Sequence, residues 1–117
     1  MNPETKLQNE IRVALSDYGM IFRTNAGDFW QGKRIWSNEF QQYVLTNLRP
    51  IKGLPTGFSD TFFVGGNGKT AFIEIKTPTG TVRPEQENFI KVMKAHQHYA
   101  GIVRSVDDAL KLIGVDQ

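Results

Sequence analysis

The chain contains no cysteine. Disulfides, thiolate zinc sites and a cysteine nucleophile are therefore excluded. Histidine is scarce: His96 and His98 lie two positions apart on one predicted helix, and so on different faces. A histidine-based metal site or a Ser-His-Asp triad does not fit that spacing. No apolar run approaches the ~20 residues of a membrane-spanning helix. An N-terminus carrying Glu4 and Glu10 does not resemble a signal peptide. An intracellular location without a membrane partner is expected. Net charge is also low, +2 over 117 residues, but it is unevenly placed. Residues 59–117 carry seven basic and seven acidic side chains and cancel. Residues 19–58 carry Arg23, Lys33, Arg34, Arg49 and Lys52 against Asp28 and Glu39. That excess suits a phosphate backbone, and also a plain solvated surface. The length and ordinary composition describe one domain, residues 1–117, with a single core.

The most informative stretch is Thr70–Thr77. Its alternation predicts a strand with Ala71, Ile73 and Ile75 on one face and Phe72, Glu74 and Lys76 on the other. Asp60–Val64 predicts a second strand, and Gly65-Gly66-Asn67-Gly68-Lys69 supplies a tight turn between them. A turn centred on Asn67 sets Val64 against Thr70, Phe62 against Phe72 and Asp60 against Glu74. Directly opposed residues have Cβ atoms roughly 4.5–5.5 Å apart. Two carboxylates that close repel unless a proton or cation lies between them. A divalent metal held by oxygen ligands would resolve the conflict, with Lys76 one step along the same face. A frayed, solvated hairpin end with an ordinary Glu74–Lys76 pair is the alternative.

Around this hairpin, Asn2-Pro3-Glu4 predicts a helix start. Leu7, Ile11, Ala14, Leu15 and Tyr18 form its apolar stripe, and Gly19 is the expected stop. Glu10 falls at the margin of the stripe, either solvated or leaning toward a buried site. Met20–Arg23 predicts a short strand, followed by a loop through Asn25. Residues 28–50 show no clear period. Their aromatics Phe29, Trp30, Trp36, Phe40 and Tyr43 are expected mainly as core anchors, although aromatics beside cations can also stack on bases. Pro50–Phe58 is a stiff, irregular approach to Asp60. A helix is expected from Pro84, with Gln86 the polar member of its inward face. Tyr99–Arg104 predicts a strand, and Ser105 with Asp108 approximates a capping box for a last helix.

The ordered set of Glu10, Ser59-Asp60, Glu74-Ile75-Lys76 and Arg83-Pro84-Glu85-Gln86 followed by Phe89 resembles the PD-(D/E)xK nuclease superfamily. Within it, the chain most resembles the virus-type replication-repair nuclease (VRR-NUC) family. The resemblance runs from about Leu7 to Val106. Ser59 stands where the superfamily pattern has proline, and Arg83 where related sequences tend to have a capping residue. The resemblance implies an α/β, restriction-endonuclease-like core: a mixed sheet of about four strands flanked by helices. It implies Asp60, Glu74, the Ile75 carbonyl and Glu10 as ligands of Mg²⁺ or Mn²⁺. Lys76 would position the attacking water and stabilise charge on the scissile phosphate, with Gln86 orienting Lys76 or a water.

The activity implied is that of a metal-dependent, structure-selective DNA endonuclease in a bacterial or phage-infected cell, foremost a Holliday-junction resolvase acting as a homodimer. Branched or duplex DNA would contact Arg23, Asn25, Lys33, Arg34, Arg49 and Lys52. A flap, nick or duplex nuclease of repair or restriction type is the second reading. A non-catalytic nucleic-acid-binding module is the third.

Overall fold

Asn2 opens the first helix as its residue type requires. Its Oδ1 accepts from the Thr5 N–H at 2.7 Å, and Pro3 begins helix α1, Pro3–Leu15. The computed structural model describes residues 1–24 and 26–115. Asn25, one of the expected DNA contacts, lies outside them. Helix α1 ends at the Ser16 cap, short of Gly19, which instead opens strand β1, Gly19–Arg23.

The hairpin register is the expected one. Strand β4 (Thr61–Gly65) and strand β5 (Thr70–Ile75) pair antiparallel, with Phe62 opposite Phe72 and Val64 opposite Thr70. A 3-10 turn over Gly66–Gly68 joins them, and Gly68 takes the positive φ. Asp60 immediately precedes β4, and continuing the register sets it against Glu74. Strand β6 (Tyr99–Val103) runs parallel to β5, and β1 runs antiparallel to β4. The sheet is mixed and four-stranded, in the order β1-β4-β5-β6.

Alternation along β5 sorts the core. Ala71, Ile73 and Ile75 are buried with Ile11 and Leu15 of α1 and with Ala109 and Leu110 of helix α3, Val106–Leu112. Each large aliphatic side chain so buried contributes about 1.5–3 kcal/mol. Phe72 faces the opposite way, into an aromatic cluster with Phe58, and with Phe89 of helix α2, Pro84–Ala95. Helices α1 and α3 therefore cover one face of the sheet, and α2 the other. The final cap forms as expected: Ser105 Oγ accepts from the Asp108 N–H at 3.1 Å. One histidine expectation is corrected. Helix α2 stops at Ala95, so His96 is its C-cap, while His98 lies beyond it with its ring 5.9 Å from Phe72.

Residues 28–52 are not a connection over the core. They form strands β2, Asp28–Ser37, and β3, Gln42–Lys52, paired antiparallel as a separate two-stranded ribbon. Trp30, Trp36, Phe40 and Tyr43 are largely exposed, which corrects their expected place in the core. The register slips between Gln31 and Lys33, with Asn47 at positive φ on the facing strand. This bulge is why no simple period of two runs through the segment. The ribbon makes the molecule long, with extents of 55 × 31 × 30 Å. The radius of gyration is 17.2 Å, where a compact chain of this length needs about 13 Å. At the ribbon's root the two ends are tied together: Gly27 N–H donates to the Leu54 carbonyl and Gly53 N–H to the Gly27 carbonyl, both at 2.8 Å.

Candidate active site

Asp60 and Glu74 meet where β4 begins and β5 ends. Each carboxylate is bound by the other's strand. The Asp60 N–H donates to Glu74 Oε2 at 2.9 Å, and the Ile75 N–H donates to Asp60 Oδ2 at 3.3 Å. Glu74 is fully buried. Its second oxygen, Oε1, accepts from Gln86 Nε2 at 2.6 Å, and the Lys76 ammonium lies 3.7 Å from the same atom. The solvated-hairpin alternative is thus removed.

Gln86 has two tasks. Its Oε1 accepts from the Arg83 N–H at 3.0 Å, closing the first turn of α2, while its amide nitrogen holds Glu74. Buried amides need partners, and this one finds both. Arg83 is the N-cap residue, and Gln86 does the capping from within the helix.

The loop before Asp60 is fixed by specific contacts. Ser59 is buried, with its Oγ donating to the Thr61 carbonyl at 2.9 Å, and its own carbonyl accepts from the Thr24 hydroxyl. Gly57 has φ +95°, and a Cβ there would lie 2.7 Å from the Glu85 carbonyl oxygen. The backbone therefore needs glycine twice over, for its conformation and for its close approach to α2. Gly57→Ala is expected to destabilise the protein by about 1–3 kcal/mol; urea unfolding checks this.

Beside the carboxylates opens a cleft of about 430 Å³, lined among others by Thr24, Phe29, Phe58, Asp60, Arg83 and Gln86. It lies between the α2 N-terminus and the root of the ribbon.

Burial pushes the Asp60 carboxyl above its ordinary range, against the lowering influence of the Ile75 N–H and the Lys76 ammonium; the Glu4 charge adds to the rise. Burial, then the Asp60 charge, carries Glu74 from 4.5 up to about 7. Glu74 therefore holds its proton more tightly folded than unfolded. Between pH 4.5 and about 7 the native state binds more protons, so stability of the metal-free protein falls as pH rises through that window. Denaturation at pH 5 and pH 7.5 (on the order of the window's two ends) should show the fall in wild type, and a much flatter profile in Glu74→Gln.

Of the residues expected at the site, Asp60, Glu74, Ile75, Lys76 and Gln86 are brought together. Glu10 is not. It is exposed on α1, about 100° around the helix from buried Ile11. The α1 acid whose charge adds to the rise of the Asp60 carboxyl is Glu4, itself exposed. Glu4 was detectable by extending the Leu7–Ile11–Leu15 stripe back one turn. Arg104 was also missed: its Nη1 donates to the Thr77 carbonyl at 2.6 Å and the Gly80 carbonyl at 2.9 Å, bracing the chain just after Lys76. Lys33, Arg34, Arg49 and Lys52 are exposed on the ribbon, and Arg23 is exposed at the end of β1.

Among the described residues, no three Asp, Glu or His side chains are grouped to hold a metal ion. The oxygen donors brought together are the Asp60 and Glu74 carboxylates. An all-oxygen set with two mutually repelling carboxylates fits a hard divalent cation.

The VRR-NUC domain family model matches residues 2–107. A solved structure described as a VRR_NUC domain aligns with a TM-score of 0.58 and 16% identity, covering 97% of this chain and 96% of that one. At that identity the likeness is one of fold. No curated protein matches the chain.

Proposed function

The chain belongs to the VRR-NUC family, nucleases of the PD-(D/E)xK superfamily, and from that premise we propose that it is a divalent-metal-dependent DNA endonuclease selective for branched structures. A four-way junction cut by a homodimer is the specific activity proposed. The observation that carries the catalytic reading is half-buried Asp60 against buried Glu74, with the Lys76 ammonium 3.7 Å from Glu74 Oε1.

Asp60, Glu74 and the Ile75 carbonyl would hold Mg²⁺ or Mn²⁺, with Glu4 adding charge from α1. The chemistry such an ion supplies is Lewis-acid activation of water and charge neutralisation at the phosphate. The protein's own groups do the rest. Backbone N–H donors and Gln86 hold the two carboxylates in one geometry, so no reorganisation is needed when substrate arrives. The partly buried Lys76 stabilises negative charge on the scissile phosphate and orients the attacking water. No covalent nucleophile is required. Arg83 at the cleft, with Arg23, Arg49 and Lys52 at and near the ribbon root, would take backbone phosphates. Lys33 and Arg34 lie further along the arm.

The test is cleavage of a synthetic four-way junction, a flap and a linear duplex with Mg²⁺, Mn²⁺ or chelator. Junction cutting that chelation abolishes is expected. Equal cutting of linear duplex would end the junction reading in favour of a flap, nick or duplex nuclease. Binding without cutting in either metal would favour a non-catalytic module. Because phosphate contacts act through counterion release, binding should weaken steeply with salt, while each basic residue alone has a small effect.

A further inference from the structure

We propose that the cleft beside Asp60 is a subsite for one unstacked nucleotide, its base lying on the Phe29 ring and its phosphate on Arg83. The inference rests on the nuclease reading above and names what that site selects. The cleft's volume of about 430 Å³ falls within the roughly 300–1,000 Å³ of pockets that take one small organic group. A nucleoside is a group of that kind. One wall is the ribbon root, with Ala26, Gly27 and Phe29, and the other is the start of α2, with Arg83 and Gln86. Asp60 lines the same cleft, so an occupant would sit next to the phosphate being cut.

The two phenylalanines of the cleft differ. Phe58 is committed to the fold: its ring packs against Phe72 and Phe89, with centroids 5.8 and 4.6 Å away. Phe29 is 39% exposed, and among the described residues its ring meets no other aromatic ring. The backbone beneath it is held. Phe29 is paired with Ile51 across the ribbon, and Gly27, two residues earlier, is tied to Leu54. An exposed ring on a held backbone is a stacking platform, and every base has a π face to lay on it.

Arg83 supplies the charge. Its side chain is 61% exposed and pairs with Glu85 at 3.6 Å. So exposed an ion pair is weak, and the guanidinium can exchange it for a phosphate. The subsite also gives a physical reason to prefer branched DNA. Extruding a base costs least where it is already unpaired, as at a branch point or flap, and most within continuous duplex.

The test changes both partners at once. Four-way junctions lacking a single base are made, with the abasic residue moved one nucleotide at a time across the branch point. Each is cut by wild type and by Phe29→Ala. On intact DNA, Phe29→Ala should lower kcat/KM by about 5- to 150-fold, the usual range for one lost base–aromatic stack. On the junction lacking the base that stacks there, the same substitution should cost less than about twofold. Phe29→Leu keeps apolar packing at the ribbon root but offers no π face, and should follow the same pattern. Arg83→Ala should cost the same on every junction, since a phosphate contact carries no base information. A Phe29 penalty that is equal on all the junctions, or absent on intact DNA, would overturn the subsite and leave the nuclease reading intact. A wild type that cuts nothing would end the nuclease reading; the same comparison, made on junction affinity without metal, would then decide the subsite alone.

Discussion

Glu74→Gln is expected to lower phosphodiester cleavage by at least about a thousandfold, a loss of several kcal/mol of transition-state stabilisation, and it will not be structurally silent. Glu74 accepts on both oxygens, from the Asp60 N–H and from Gln86 Nε2. A glutamine has one acceptor oxygen, so its amide nitrogen must face one of those two donors. If it faces the Gln86 amide, Gln86 must flip, and its nitrogen then faces the Arg83 N–H that its oxygen now accepts. Each way round leaves one buried donor unpaired, at a cost of about 1–3 kcal/mol. Against this, the change removes a buried charge that the fold disfavours at neutral pH. Single-turnover cleavage and urea unfolding on the same variant separate the two effects. A variant that still cuts within tenfold of wild type would remove Glu74 from the chemistry.

Lys76→Met is expected to slow cleavage by about 10²–10³-fold, the usual effect of removing one preorganised electrostatic group, with junction binding largely retained. Methionine keeps most of the stem's packing and deletes the charge. The ammonium lowers both the Asp60 and the Glu74 carboxyl, so without it both move further up. The upper edge of the pH window over which the metal-free protein loses stability should therefore move to higher pH, with the lower edge unchanged and the same sign. Binding that collapses with cleavage would instead make Lys76 a DNA anchor.

The parts of this site that were legible in the sequence were those fixed by short-range geometry. The glycine-rich turn between Val64 and Thr70 sets the pairing, and pairing alone brings Asp60 to Glu74. Gln86 was legible because a polar residue on an apolar helical stripe needs a partner. The ribbon was not legible. Its bulge at Gln31/Lys33 breaks the alternation that marks a strand, and aromatic residues in an aperiodic segment read as core when no partner surface is known. Glu10 was misplaced for a related reason: sequence order alone does not say which glutamate of α1 carries the charge felt by Asp60. His98 was misplaced because α2 ends at Ala95, with no glycine or proline to mark the stop.

One amide side chain, Gln86, seals the start of α2 and steadies a buried acid across from it. Fraying of that helix end and disarming of the centre are therefore the same event. Warming should extinguish turnover several degrees before the body melts, and amide exchange at Arg83 should quicken in step with the lost turnover.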